Sequence, residues 1–342
     1  MSLTGRKIVM TRYPAGMPTD EDLHLTEEHW PAPQQGEAFL RVIYLSLDPY
    51  MRGRMSPAKS YSASTEVGGV VTAESVCEVM KSRADGFSAG DIVLARTGWR
   101  SHYIAKAGEM RRIDPAIAPV STALGVLGMP GFTAYAGLLK HGRPKPGETV
   151  VVSAASGTVG QLVGQIAKIK GCRAVGIAGA ADKCAMAVDD FGFDACVNYK
   201  DADFREQLAA TCPDGIDVYF ENVAGDVLKA VIPLFNDFAR MPVCGAIAYY
   251  NGAANEGPDH LPSFMRAILV KRLSVRGFIN YDEAEMTEDF IREMGAWLRE
   301  GRIRYREDFV DGLENTVEAF QGLLTGRNRG KLIIRVSDDP TL

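Results

Sequence analysis

The pattern of apolar and polar positions changes period once along the chain, near residue 120. Before that point the apolar residues fall in short runs between turns: KIVMTRY (7–13), EAFLRVIYLSL (37–47), EVGGVVTAESVCEV (66–79), DIVLARTGW (91–99) and SHYIAK (101–106). Pro, Gly, Asp and Ser punctuate them, and no amphipathic helix of useful length interrupts them. The pattern predicts a small, mainly antiparallel, barrel-like domain.

From about residue 124 strands and helices alternate. After the turn signal Lys145-Pro146-Gly147, TVVVSA reads as a buried strand and TVGQLVGQIAKIKG as the helix behind it. RAVGIAG, ACVNY, DVYFENV, ARMPVCGAI and LSVRGFI are further strand-like runs. DKCAMAVDDFG, FREQLAAT, GDVLKAVIPLF and LPSFMRAILVKR read as helices between them. Parallel strands need return segments, so six strands with crossovers imply a doubly wound parallel sheet. After EDFIREMGAWLREG, the runs IRYREDFV, TVEAFQGLLTG and KLIIRV read as strand, helix, strand. Periodicity leaves open whether they extend the sheet or rejoin the first domain.

A length of 342 residues suits two domains, and 46% hydrophobic with 24% charged residues is a globular profile. The net charge of -5 and the lack of a basic stripe argue against a nucleic-acid partner. The start MSLTGRKIVM lacks the apolar stretch of a secretory signal. No apolar run approaches the ~20 residues of a membrane span, and a cytoplasmic location is expected. Six scattered cysteines without a C-x-x-C pair give neither a disulfide framework nor a zinc knuckle. The five histidines show no H-x-x-x-H spacing, and no metal is expected.

The sharpest local signal is the strand-turn-helix from Val150 to Gly164, where Ala155, Gly157 and Gly160 form an A-x-G-x-x-G pattern. Gly157 would let backbone approach a pyrophosphate, and Gly160 would let the helix pack tightly on the strand. Free N–H groups and the helix dipole then favour the anion. The second strand ends Gly176-Ile177-Ala178-Gly179-Ala180-Ala181, without the carboxylate that would accept ribose hydroxyls, and Lys183 follows. An ammonium without a nearby strand-end carboxylate suits a 2′-phosphate, hence NADP rather than NAD. The other reading of Lys183 is a solvent-facing helix residue, and the position of Asp182 suits a helix N-cap.

Ligands of open α/β sheets lie beyond the carboxyl ends of the strands. Glu221 to Gly225 there is either a cofactor-cleft wall or a turn and cap. Tyr250, after the fifth strand, is either pocket wall or a donor to a carbonyl oxygen that gains charge on hydride addition. In the barrel domain, Leu47 to Arg54, with Tyr50, mixes a turn with aromatic and basic groups and is a candidate substrate contact. Gly128 to Tyr135, with Met129, is a candidate hinge.

Together LSLDPYMRGRM, GMPGFTAY, AASGTVGQLVGQIAK, FENVAG, CGAIAYYN and GRNRGKLIIRV run from about residue 45 to 336. With them the chain resembles the zinc-independent medium-chain dehydrogenase/reductases of the leukotriene B4 dehydrogenase and prostaglandin reductase group, near the bacterial curcumin-reductase branch. The resemblance implies a GroES-like catalytic domain over 1–123 completed by 303–342, an NADPH-binding Rossmann domain over 124–302, and a homodimer. It implies a pyrophosphate loop of Gly157, Thr158, Val159 and Gly160, with Lys183 and Tyr199 on the adenosine 2′-phosphate side. Remaining cofactor contacts carry over to Asn222, to Cys244, Gly245, Ala246, Ile247 and Tyr250, to Phe278, Ile279 and Asn280, and to Asn328. Tyr50, Met129 and Tyr250 are the expected substrate contacts, with Tyr250 as the catalytic residue near the carbonyl. The implied reaction is conjugate reduction of an α,β-unsaturated ketone or aldehyde by NADPH. Departures are Tyr249, where smaller residues are common, and ENVAG in place of DNVGG. Alternatives are an NADPH quinone oxidoreductase and, from another class, a non-catalytic NADPH sensor or RNA-binding module.

Overall fold

The computed structural model describes residues 3–252 and 260–342, and the chain divides into two compact units. One holds residues 1–125 and 307–342, the other residues 126–306. In the first, β1 (Leu3–Met10) and β2 (Leu23–Trp30) pair antiparallel. The long strand β3 (Glu37–Ser46) is followed by the short helix α1 (Tyr50–Arg54). Then come β4 (Ser75–Ser82), β5 (Ile92–Ala95), β6 (His102–Lys106) and β7 (Met110–Arg112). β3 pairs antiparallel with β4 and β6, β4 with β5, and β5 with β7. Two register shifts along β3 and β4, at Phe39/Leu40 and Val42/Tyr44, bend the sheet around a core that includes Leu40, Val42, Val93 and Trp99.

Two details depart from the pattern of apolar runs. β2 is mostly exposed, with only its first residue buried, so its sequence LHLTEEHW carries little apolar signal and pairing with β1 makes it a strand. The run from Glu66 turns before it pairs: Gly68 has φ +89°, the amide of Gly69 donates to Glu66 O at 2.9 Å, and β4 begins only at Ser75.

The second unit opens on α2 (Met129–Ala136), which continues into a π-helical turn over Gly137–Gly142. Most of the Gly128 to Tyr135 run is thus helical, with proline at its permitted N-terminal position. β8 (Thr149–Ser153), α3 (Thr158–Ile169), β9 (Arg173–Ala178) and α4 (Ala181–Asp189) follow. Next are β10 (Ala195–Asn198), α5 (Phe204–Thr211), β11 (Ile216–Phe220), α6 (Gly225–Val231) and β12 (Phe235–Val243). α7 (Leu261–Lys271), β13 (Ser274–Gly277) and α8 (Thr287–Arg299) complete it. The six strands are all parallel, in the order β10-β9-β8-β11-β12-β13. β8 is buried at every position, with Val150 and Val152 in one hydrophobic layer and Val151 in the other. That two-sided burial explains why its sequence is a continuous apolar run. The strand order reverses between β8 and β11, and a doubly wound sheet binds ligands at such a switch point.

The chain then returns as β14 (Glu307–Asp311), α9 (Thr316–Leu324) and β15 (Lys331–Arg335). β15 pairs parallel with β14 and antiparallel with β3, so this segment rejoins the first sheet and does not extend the second. Buried Lys331 donates to Leu47 O at 2.9 Å and to Asp48 Oδ1 at 2.6 Å, which ties β15 to the turn before α1.

Within the second unit, Glu283 ties the Asn280–Met286 turn to the π-helical turn. Its carboxylate pairs with Lys140 and lies 2.9 Å from His141 Nε2. Burial alone would raise the Glu283 pKa, but Lys140 and His141 outweigh it and hold it below 4.5. A carboxylate with a lowered folded pKa stabilises fully above its unfolded value and loses that contribution as pH falls through the folded value. Glu283→Ala is therefore expected to cost about 1–2 kcal/mol at neutral pH in urea denaturation, since Lys140 is half-exposed and keeps Glu285. The gap from the parent should narrow in acid, and a gap that holds there would contradict the ion-pair account.

Candidate cofactor and active site

The turn after β8 is set by backbone geometry. Ala154 has φ +53°, and the Gly157 amide donates to Ala154 O at 2.9 Å, closing the loop before α3. A Cβ on Gly160 would stand 2.2 Å from Ala154 O, so helix and loop meet at a distance only glycine allows. A Cβ on Gly157 would meet only Ala154 O, at 3.2 Å, which leaves the face of the loop open. Thr158 and Val159 are the first residues of α3, where N–H groups lack intrahelical partners. The loop thus fits a pyrophosphate: open in front, glycine-tight behind, and donor-rich at its helix start.

Across the switch point, β8 and β11 are joined by side chains. Ser153 Oγ donates to Glu221 Oε1 at 3.0 Å and accepts from the Asn222 amide at 2.8 Å. Asn222 Nδ2 donates to Ser153 O at 2.8 Å. Glu221 Oε1 also accepts from Tyr219 Oη at 3.0 Å and from the amides of Val223 at 2.7 Å and Ala224 at 2.9 Å. Burial pushes the Glu221 carboxyl above its ordinary 4.5, although these donors pull it down. Its Oε2 is buried with no hydrogen-bond partner among the described residues. Glu221 therefore caps its own turn and fixes Asn222. The turn-and-cap reading of this segment is what Glu221 does, whereas its bond to Ser153 is not foreshadowed by ENVAG.

The loop after β12 docks on this turn through its backbone. Cys244 and Gly245 amides donate to Glu221 O at 2.9 and 3.1 Å, and those of Ile247 and Ala248 to Asn222 O and Val223 O at 3.2 and 3.1 Å. Tyr250 follows the short turn Ile247–Tyr249 and folds its hydroxyl back to 3.5 Å from the Ala246 amide. Gly245 makes room for this: a Cβ there would lie 3.1 Å from Tyr250 Oη and 3.3 Å from Asn222 O. Burial, with Glu221 nearby, pushes the Cys244 thiol up to about 12, so it is no thiolate at neutral pH. Phe278 is buried against Phe220 and His141, and a Cβ on Gly137 would strike its ring at 2.3 Å. Ile279 and Asn280 open the turn that Glu283 anchors.

The ends of β9 and β10 form a further corner. Tyr199 lies over Gly179, where a Cβ would stand 2.8 Å from its ring, and its amide donates to Ala178 O at 3.0 Å. The Lys183 amide donates to Ala180 O at 3.1 Å, in the first turn of α4. The expected N-cap role of Asp182 is corrected: the cap position is Ala180, without a side-chain cap, and Asp182 lies inside the first turn. An acidic residue there is favoured by the helix dipole without capping it. Met129 begins α2, also in this unit.

Tyr50 and Asn328 belong to the first unit. Tyr50 begins α1, with its hydroxyl pKa raised by burial and by Asp48 and Glu74. Asn328 Nδ2 donates to Gly330 O at 2.7 Å. Among the described residues, no three of His, Cys, Asp and Glu are grouped to hold a metal ion.

Two family descriptions match the chain: an N-terminal domain of oxidoreductase over residues 6–113 and a zinc-binding dehydrogenase over residues 158–296. The NADPH-dependent curcumin reductase of Escherichia coli (strain K12) is 48% identical over 336 residues, 98% of this chain and 97% of that one. The NADP(+)-dependent 2-alkenal reductase of Nicotiana tabacum is 38% identical over 341 residues, 98% of each chain. The crystal structure of CurA from Vibrio vulnificus in complex with NADPH matches with a TM-score of 0.94 and 49% identity, over 98% of this chain and 100% of that one.

Ala224 has φ +65° and ψ -147°, a region that strains any residue with a side chain. Ala224→Gly is expected to stabilise the protein by about 1 kcal/mol in urea denaturation, against the usual cost of glycine. A loss of stability would show that the turn is unstrained.

Proposed function

Because the chain belongs to the medium-chain dehydrogenase/reductase family, in the group of the curcumin and prostaglandin reductases, we propose that it reduces the C=C bond of α,β-unsaturated ketones and aldehydes with NADPH. The observation that carries this reading is the seating of the Tyr250 loop on Asn222, beside the phosphate loop, at the carboxyl ends of β8, β11 and β12. NADPH, when bound, would supply the hydride for the β-carbon. Gly157, Thr158, Val159 and Gly160 hold the pyrophosphate, and Lys183 and Tyr199 the 2′-phosphate side. Asn222, the Cys244 to Ile247 backbone and Phe278 to Asn280 form the wall at the nicotinamide side. Tyr250 donates a hydrogen bond to the carbonyl oxygen, which gains negative charge as the β-carbon is reduced. Met129 contributes to the substrate side, and no step assigned to these residues calls on a metal.

A homodimer belongs to the same reading. β13 is the edge strand of the six-stranded sheet and is exposed along its length. Beside it in sequence, Leu269 is 77% exposed, with Leu261, Met265 and Val270 also open to solvent on α7. An open edge next to an apolar helix face suits a second copy related by a twofold axis. Leu269→Glu is expected to shift the mass in sedimentation from two chains to one, and an unchanged mass would contradict this interface. No helix among the described residues is long and apolar enough to cross a membrane. We place the enzyme in the cytoplasm, where NADPH is available and its six free cysteines stay reduced.

The test is NADPH oxidation, followed at its near-ultraviolet absorbance, against an enone, its saturated ketone and a quinone. Turnover with the enone alone, preferring NADPH over NADH and indifferent to chelator, is expected. Turnover with the quinone alone would replace the reading with quinone reduction. Tyr250→Phe should lower kcat by roughly tenfold to a hundredfold. Lys183→Ala should raise KM for NADPH about tenfold or more and leave that for NADH unchanged.

A further inference from the structure

Two of the six cysteines meet at the adenosine end of the parallel sheet. Cys196 is on β10, opposite Gly176 of β9 in the parallel register. A Cβ on Gly176 would stand 2.9 Å from Cys196 Sγ and 2.8 Å from Ala155 Cβ, so the absent side chain makes room for the sulfur beside the phosphate loop. Cys184 lies on α4, three residues before Ala187, which is buried in the hydrophobic layer that Cys196 packs against. One helical face thus carries Cys184 onto the face of the sheet that carries Cys196. Helix α4 packs against β10, each thiol perturbs the titration of the other, and both are half-buried, whereas Cys77, Cys172 and Cys212 are buried.

The position matters because of its neighbours in the chain. Cys184 directly follows Lys183, and Tyr199 comes one residue after the end of β10. We propose that Cys184 and Cys196 form a reversible oxidative modification site, and that closing their disulfide weakens binding of NADPH at the 2′-phosphate corner. The second half rests on the assignment of Lys183 and Tyr199 to that phosphate.

The chemistry follows from the asymmetry of the pair. The neighbouring Cys196 thiol lowers the pKa of Cys184, and Cys184 with burial raises that of Cys196. Cys184 is the one cysteine of the six whose pKa is lowered, while burial pushes Cys172 and Cys212 up to about 11. A thiolate is the reactive form, so an oxidant meets Cys184 first. With hydrogen peroxide as oxidant, the Cys184 thiolate attacks one oxygen and breaks the O–O bond. The released hydroxide takes up a proton to become water, and Cys184 becomes a sulfenic acid. The Cys196 sulfur then displaces that hydroxyl as a second water and forms the S–S bond. Two electrons pass from the sulfurs to peroxide, and a dithiol reductant returns them.

The geometric consequence is local. A disulfide sets its sulfurs ~2.05 Å apart, closer than two unlinked thiols can stand. Closing it draws the first turn of α4, with Lys183, towards β10. By linkage, bound NADPH and the disulfide oppose each other to the same degree.

The reduced full-length protein is treated with hydrogen peroxide, alkylated, digested and analysed by mass spectrometry, with and without saturating NADPH. The expected product is a Cys184–Cys196 cross-linked peptide pair, two hydrogens lighter than the sum of the free peptides. It should be cleaved by dithiothreitol and form more slowly with NADPH bound. NADPH titration by intrinsic fluorescence should give a Kd about tenfold higher for the oxidised protein. Cys184→Ser and Cys196→Ser should bind as the reduced parent does, before and after peroxide. Over-oxidation of Cys184 without a link to Cys196 would overturn the modification site. A disulfide that forms with Kd unchanged would overturn the coupling alone. Reduced Lys183→Ala binding NADPH as tightly as the parent would instead overturn the assignment of the corner.

Discussion

Two parallel strands that part at a switch point end in loops whose backbone groups have no sheet partner. Each such group left buried and unpaired costs about 1–3 kcal/mol. Between β8 and β11 one carboxylate oxygen meets this need, since Glu221 Oε1 accepts from Ser153, Tyr219, Val223 and Ala224. Because Ser153 in turn accepts from the Asn222 amide, the phosphate loop and the Asn222 turn cannot move independently. The Tyr250 loop then hangs on the carbonyls of Glu221, Asn222 and Val223. The price is an Oε2 without a partner among the described residues, a carboxyl pKa raised by burial, and a strained Ala224.

This constraint explains how a site made of loops is precise enough for hydride chemistry. A donor to a developing oxyanion helps only if it is already in place when the charge appears. Tyr250 sits one short turn beyond backbone that is itself bonded to the Asn222 segment, and Gly245 lets its hydroxyl fold in. At the corner proposed for the adenosine side, Gly179 admits Tyr199 and the first turn of α4 brings Lys183. The glycines mark close approach, and the carboxylate makes that approach stiff.

The sequence made the parallel sheet, the glycine turn after β8 and the reductase family legible because each leaves a local mark. Buried strands such as TVVVS are unbroken apolar runs, and Gly157 and Gly160 stand where a turn needs them. β2 left no such mark, since an exposed, charged strand is defined by its partner. The helix in the Gly128 to Tyr135 run left little mark, because Gly and Pro begin turns as well as helices. Neither the bond of Glu221 to Ser153 nor the meeting of Cys184 with Cys196 follows from spacing. The first depends on Ser153, far away in sequence, and the second on the crossing of α4 over β10. The six cysteines look scattered in sequence, and two of them become neighbours only in the fold.

The central claim, that hydride goes to carbon β to a carbonyl, is tested most directly with NADPH deuterated at C4 of the nicotinamide, each face labelled in turn. The enone product is then examined by NMR. The account predicts deuterium at the β-carbon from one of the two labels, with the α-hydrogen drawn from solvent or Tyr250 and the carbonyl intact. Deuterium on the carbonyl carbon, in an unsaturated alcohol, would contradict it.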